Sequence, residues 1–361
     1  MTGEPIIIGS LPFEAAGRIA GDFFMSVDTA LTLATLRAFG QQRTEEFEAT
    51  MLRSHQEHFF LPGLEKLGLT AESSHAVCCA RYHCLSNALG GLRMRYAVES
   101  ETKAWVFYET PCWIDSPWSP GMSIAVFRPE FMLAAMRAWH ANNGVVLGNP
   151  GLIFAVTELI ARGDGRDAGY FLDTGQPTAV SERLLLRFGE QPPPSVRLRQ
   201  PDLDLTIWPP ERQAKAWRNY GLAYATARIS WLAADPDPAA VDIIDFGFRV
   251  ALFQRAESLL ASFAPQATTG LERATLLLAG IHELAGLHVD VDLSEASSRV
   301  RVAGGWLDRT PGAMAPAARQ LAENALTRAW VAWCHHEDPQ LDVRRQAVDG
   351  AQVWMLGKSG V

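Results

Sequence analysis

The sequence predicts an α+β protein, built as an internally duplicated unit of helices plus a four-stranded, mostly antiparallel ββαββ sheet. Three observations predict it. Short segments recur across the chain: Leu89-Gly90-Gly91-Leu92-Arg93-Met94-Arg95-Tyr96 parallels Leu284-Ala285-Gly286-Leu287-His288-Val289-Asp290-Val291, and Arg137-Ala138-Trp139 parallels Arg328-Ala329-Trp330, at offsets of 195 and 191 residues. Each recurring segment passes from an apolar period of 3.6 into strict alternation, the change expected where a helix hands over to a strand. Between the copies lies a proline cluster, Pro192-Pro193-Pro194, Pro201 and Pro209-Pro210, which favours extended backbone and stops helices. These place a first repeat with the candidate site at 1–190, a proline-rich linker at 191–210 and a second repeat at 211–361.

The elements follow in order. Helical periods cover Phe13–Phe39 and Arg43–Lys66 in the first half and Pro210–Ala233 and Val241–Phe263 in the second. A further helix in each half runs into the Leu-Gly-Gly-Leu or Leu-Ala-Gly-Leu junction, where glycine suits a helix C-terminus. Paired strands are predicted at Leu92–Glu99 with Lys103–Thr110 and at Leu287–Leu293 with Arg299–Ala303. The alternation Leu287, Val289, Val291, Leu293 marks a sheet with one covered face. Arg128-Pro129-Glu130 then opens a helix, with proline in its first turn and Gly144 just past its end. Closing strands are predicted at Leu152–Ala161 and Gly169–Leu172, and at Leu341–Val348 and Gln352–Leu356 around an Asp349-Gly350 turn.

Composition bounds the function. Of 361 residues, 48% are apolar and 20% charged, with 32 Lys+Arg against 40 Asp+Glu. That is the balance of an ordinary soluble globular chain. A net charge of −8 without a basic block argues against nucleic acid or an anionic membrane surface as partner. No run of about 20 apolar residues suggests a membrane span, and the N-terminal residues lack the basic and apolar regions of a signal peptide. Five cysteines, an odd number without paired metal spacing, read as reduced thiols in a cytoplasmic protein. There is no GxGxxG entering a helix, no Walker loop, HExxH, GxSxG or CxxC pair, so no cofactor is expected. The partner expected is a small-molecule ligand or substrate, for a chain that is monomer or homodimer.

The candidate chemistry concentrates in three segments. In His75–Gly90, Cys79, His83 and Asn87 fall at i, i+4 and i+8, with Tyr82 and Ser86 beside them. Neighbours at that spacing could form a thiol–imidazole pair, with Cys79 as nucleophile or His83 as general base and Tyr82 assisting. The other reading is a partly solvent-facing stripe with small buried cysteines. The matching helix of the second half has Ala274, Leu278 and His282 there, so the polar set is specific to the first copy. In the second segment, Trp139, His140, Asn143 and Asn149 crowd a helix end and a tight turn, where such groups bind or orient a substrate; Asn87 and Ser86 join them. These residues serve equally as helix caps and turn formers. In the third, His55 and His58 with Glu48 form a minor alternative metal set, since a zinc-type site needs three protein ligands. His335-His336 read as a helix C-terminal pair, favourable to the helix dipole.

Phe60–Leu69 (FLPGLEKLGL), Tyr82–Met94 (YHCLSNALGGLRM) and Ala135–Pro150 (AMRAWHANNGVVLGNP) look like segments of largely uncharacterised bacterial proteins. The repeated plan, with Leu36–Gly40 at its start and the hairpin of Pro339–Leu356 at its close, resembles the L-2-amino-thiazoline-4-carboxylate hydrolase-like family. That resemblance implies cofactor-independent hydrolysis of a small C–N/C–S ring. The closing hairpin of such domains often carries a Gly-Asp-x-x-Cys pattern. Here Gly163-Asp164 lacks the cysteine and the second hairpin reads Gly350-Ala351-Gln352-Val353-Trp354, so that cysteine's role does not transfer. The expectation is therefore a cofactor-independent hydrolase or lyase on a small polar or heterocyclic substrate. A non-catalytic small-molecule-binding or sensor protein stands beside it, and a His-ligated metalloenzyme after both.

Overall fold

The computed structural model describes residues 7–9, 11–72, 74–109, 126–309, 312 and 314–358. Thr110, the expected end of a strand, and Cys112, one of the five cysteines, lie outside them. The fold is α+β, and the chain divides by its contacts into a central unit, Phe39–Trp208, and a terminal unit, Met1–Ala38 with Pro209–Val361. The division differs from the expected 1–190 and 211–361: the first helical period packs with the second half.

That helix, α1 (Phe13–Lys66), is interrupted at Gly40, whose φ of 78° and ψ of 178° are not helical. Only glycine takes this conformation without strain, so the two helical periods read from sequence meet where expected. An 18-residue window of α1 has a mean hydropathy of 1.3, and α1 is long and apolar enough to cross a membrane. Of that window 72% is buried inside the structure, as in a core helix of a globular protein.

In the central unit, α1's second arm is followed by α2 (His75–Leu89), β1 (Met94–Ser100), β2 (Lys103–Tyr108), α3 (Pro129–Ala138), α4 (Asn143–Val146), β3 (Leu152–Glu158), β4 (Asp167–Asp173) and β5 (Leu184–Leu186). The sheet order is β1-β2-β4-β3-β5, antiparallel except for β5 alongside β3. It has five strands rather than four. Gly144 sits inside α4 rather than past the end of α3, because α3 stops at Ala138 and Trp139–Asn142 form turns.

Alternation along the strands separates two covered faces. Tyr108, Phe154 and Phe171 lie on the face under α2. Trp105, Phe107, Ala155 and Tyr170 form an apolar cluster on the other. Val196 packs on that cluster, and Arg199 exchanges backbone hydrogen bonds with Tyr96 at the β1 edge. The proline-rich segment thus covers the sheet rather than spacing two domains. An edge is where a proline-rich strand can pair, since the missing N–H groups face away from the ladder.

The terminal unit contains α1's first arm, α5 (Pro210–Ala234), α6 (Ala239–Phe263), α7 (Gly270–Leu284), β6 (Val289–Leu293), β7 (Ser297–Ala303), α8 (Pro316–Glu337), β8 (Leu341–Val348) and β9 (Ala351–Lys358). Its antiparallel sheet runs β6-β7-β9-β8. β7 alternates, with Ser298, Val300 and Val302 buried and their neighbours exposed, so here one face is covered as the sequence predicts. Among the helices, Arg228 donates to Asp28 through Nε at 2.5 Å and Nη2 at 3.3 Å, with both side chains out of contact with solvent.

The helix-to-strand junctions of the two units are built alike. Gly91 and Gly286 have φ of 91° and 78°. The following Leu92 and Leu287 donate to the carbonyls of Asn87 and His282 at 3.0 and 3.1 Å. This 6→1 bond with a left-handed glycine ends the helix and aims the chain into the sheet.

Candidate functional site

The central unit gathers polar side chains between α1, α2, the α3–α4 turn and the sheet. Ser74 starts α2, its hydroxyl accepting from Val77 N–H at 3.1 Å, a side-chain cap that satisfies an otherwise orphaned donor. One face of α2 then carries Cys79 and His83 onto the sheet, where both are buried. The His83 ring stacks on Phe171 at 5.4 Å and on His140 at 4.1 Å. His140 also packs against Phe154 at 4.6 Å.

The hydrogen bonds have one consistent direction. A backbone carbonyl can only accept, so the Gln56 atom 2.7 Å from Trp139 O is its NH2. The same Nε2 donates to Asn143 Oδ1 at 2.6 Å, while Gln56 Oε1 accepts from Asn142 Nδ2 at 2.6 Å. Asn143 therefore presents its own NH2 to His83 Nε2, 2.8 Å away. A nitrogen that accepts carries no proton, so neutral His83 is protonated on Nδ1 and donates to the Tyr108 hydroxyl at 3.4 Å. The Tyr108 hydroxyl in turn donates a hydrogen bond to His140 Nε2 at 2.7 Å. His140 is thus protonated on Nδ1. That atom is buried and has no hydrogen-bond partner among the described residues, and the same holds for Trp139 Nε1.

Both imidazoles are neutral at physiological pH. Burial, with His140 beside it, holds His83 well below the usual histidine range, and burial brings His140 down to about 3. Cys79 moves the opposite way: burial, and then Cys78, push its thiol well above the ordinary value, against a lowering hydrogen bond from Asn143. The thiol–imidazole pair expected from the i, i+4 spacing does not form, since Asn143 and Tyr108 take the two ring nitrogens of His83. Low dielectric disfavours the thiolate–imidazolium state at both partners.

The remaining candidates separate. Tyr82 is buried, with its hydroxyl toward Phe59 O at 3.5 Å, and burial pushes its pKa up against a hydrogen bond from half-buried Ser86. A Cβ on Gly63 would lie 2.7 Å from the Tyr82 ring, so Tyr82 packs against α1. Asn87 donates back to His83 O at 2.8 Å, within its own helix. Asn149 donates to Asp173 Oδ2 at 2.7 Å, lies 3.0 Å from His75 Nδ1 and accepts from Gly151 N–H at 2.9 Å, closing a turn away from His83.

The metal set is not assembled. His55 and Glu48 are buried while His58 is exposed and turned to Ser54 O at 2.7 Å. Among the described residues no group of three His, Cys, Asp or Glu is placed to hold an ion. His55 instead packs edge-on against Phe59 and Trp139.

The structure thus brings together His83, His140, Asn143 and Trp139 with Cys79 alongside. Three members were not singled out from sequence. Gln56 had a signal, because it lies with Leu52 and Phe60 at i−4 and i+4 on a buried stripe, and an amide there needs partners. Asn142 lies in the same 139–144 segment as His140 and Asn143, and its contact with Gln56 depends on the fold of α1 against that turn. Tyr108 ends an apolar run, and only the pairing of β2 shows which face it takes. No protein-family model, curated protein or solved structure matches the chain.

Proposed function

We propose that the central unit is a cofactor-independent receptor for a small molecule, whose carbonyl or carboxylate oxygen accepts the Nδ1 proton of His140. One observation carries the reading: a directional chain from Gln56 through Asn143, His83 and Tyr108 fixes that proton on a buried nitrogen that has no partner among the described residues. A buried donor left unmade costs about 1–3 kcal/mol, which an acceptor oxygen recovers on binding. Trp139, the adjacent residue, supplies a second such donor. The neutrality of the cluster favours recognition by hydrogen bonding and stacking over ion pairing.

The test is calorimetric titration of the full chain with acetamide, 2-pyrrolidinone and acetate, repeated on His140→Phe, which keeps an aromatic ring and removes the donor. Saturable binding of one of these, lost in the variant and with the ligand recovered unchanged, supports the receptor. Absence of binding by all three, or equal binding by the variant, refutes it.

Hydrolysis or ring opening of a small C–N/C–S substrate, as the sequence resemblance implies, is the second reading. A neutral imidazole N–H donor favours it, since such a donor stabilises a developing oxyanion without charge compensation. On that reading His140, rather than Cys79, is the group to test for loss of turnover. A cytoplasmic location is proposed with either reading, and the shared strand order and matching glycine junctions support descent of both units from one repeated unit.

A further inference from the structure

We propose that the terminal unit binds a phosphoryl dianion, as free phosphate or as the phosphate of a small monoester, between Arg218 on α5 and Arg309 at the end of the short turn Trp306–Arg309. The two guanidiniums converge on Gly286, the left-handed residue just past the end of α7. A Cβ at Gly286 would lie 2.8 Å from Arg218 Nη1, 2.9 Å from its Cζ and 3.1 Å from its Nη2. The Arg218 guanidinium therefore rests on the glycine where any other residue would place its side chain. Arg309 reaches the same residue, its Nη2 donating to Gly286 O at 3.0 Å.

No acid compensates this approach of two cations. Arg218 makes one hydrogen bond, from Nε to Asn219 Oδ1 at 3.3 Å, and no carboxylate among the described residues is paired with either guanidinium. The acids close by in sequence are engaged. Asp308 pairs with Arg319 and accepts from Gly305 N–H at 2.8 Å, and Asp290 lies 3.3 Å from His288 Nε2. The C-terminus of α7 offers about half a negative charge. The carbonyls of Ile281, His282 and Glu283 there already accept from Ala285, Leu287 and Gly286 N–H, so the helix end offsets only part of one guanidinium. Arg218 is half-buried, and burial, with Arg309 beside it, holds it below the usual arginine range. A like charge and partial burial both disfavour the cation, and a bound anion reverses both effects.

What the pair lacks defines the ligand. Both Nη groups of Arg218, and the Nε and Nη1 of Arg309, have no acceptor among the described residues. Forked guanidinium donors match the oxygens of a phosphate or carboxylate. Lys215, one turn before Arg218 on α5, is exposed and adds a third cation beside it. Three cations complement a charge of about −2, which a phosphate monoester carries near neutral pH and a single carboxylate does not. Arg309 is exposed, so the pair is open to solvent. The whole chain carries −8, so the attraction is local rather than a general affinity for anions.

The experiment is calorimetric titration of the full chain, at constant ionic strength, with inorganic phosphate, phenyl phosphate and methanesulfonate, a tetrahedral oxyanion of single charge. Arg309→Gln removes one cation and leaves the packing of Arg218 on Gly286 in place. Arg218→Gln removes the other, and circular dichroism checks that each variant is folded. Saturable binding of phosphate is expected, about tenfold tighter than of methanesulfonate. It is weakened about tenfold in each folded variant, as the loss of a charge-assisted hydrogen bond implies. Binding of inorganic phosphate alone identifies the free ion as ligand, and binding of phenyl phosphate as well identifies a monoester. His140→Phe leaves the binding unchanged, which separates this site from the one in the central unit. No saturable binding of either phosphate at about 20 mM, where millimolar affinity would register, overturns the proposal. So does methanesulfonate binding as tightly as phosphate, undiminished binding by either folded variant, or loss of binding in His140→Phe.

Discussion

The imidazoles of His83 and His140 lie face to face, 4.1 Å between centroids with 14° between planes, and share the hydroxyl of Tyr108. A proton on both rings would place two cations in van der Waals contact out of water. The stack is compatible with neutral rings, and that ties stability to pH.

His83, His140 and His282 all have folded-state pKa values below the ordinary histidine value of 6.5, the last two at about 3 and about 4. Below about pH 6.5 the unfolded chain then binds more protons, so stability falls as pH falls, by up to about 1.4 kcal/mol per unit for each ring. Asp22 works against this. Burial raises it to about 6, although Arg255 and Arg18 lower it, so it favours the folded state as pH falls from about 6 to 4. One carboxyl offsets one imidazole, leaving a net loss of stability as pH falls from about 7 to 5. Urea unfolding at about pH 7, 6 and 5 measures the slope, and a flat profile contradicts buried neutral histidines.

Asn143 joins α1 to α2, accepting from Gln56 and donating to His83. Asn143→Ala strands the His83 acceptor, removes one Gln56 partner and leaves a small cavity. We expect a loss of about 2–4 kcal/mol in chemical unfolding. Asn143→Asp offers His83 only acceptors and should shift its proton to Nε2 and raise its pKa, read by histidine NMR titration. An unchanged His83 in that variant contradicts the direction of the chain.

Cys79 should be inert in the native protein. It is 0% exposed with its thiol pushed well above the ordinary value, and Cys78 and Cys84 are likewise raised by burial, to about 11 and about 12. Alkylation by iodoacetamide, mapped by mass spectrometry, should reach these three only on unfolding. Labelling of Cys79 at the rate of a free thiol would restore it as a nucleophile.

Asp28 and Arg228 are both 0% exposed and paired. Asp28→Leu leaves the guanidinium buried without that counter-charge and should cost about 3–5 kcal/mol, whereas Asp28→Leu with Arg228→Met should recover most of it. A double variant no more stable than the single one contradicts this account of the pair.

The sequence exposed whatever local rules decide. The break of α1 at Gly40 lies between two helical periods, and the junctions at Gly91 and Gly286 follow from the helix-to-strand change of period. What it hid depends on partners far along the chain. The three-residue strand β5 is too short to announce a period, and Arg199 pairs with Tyr96 across about a hundred residues in a segment whose prolines read as a spacer. The helical stripe of Cys79, His83 and Asn87 was legible, but its meaning changed. Spacing put thiol and imidazole within reach, whereas Asn143 and Tyr108, from other elements, took the imidazole's nitrogens.

The central claim is the direction of the chain that ends at His140. Long-range proton–nitrogen correlation NMR on protein labelled with 15N in histidine reads it directly at about pH 7, since each tautomer has its own nitrogen shifts. The account predicts that His83 and His140 are both neutral and both protonated on Nδ1. A charged ring at either position, or His140 protonated on Nε2, would contradict it.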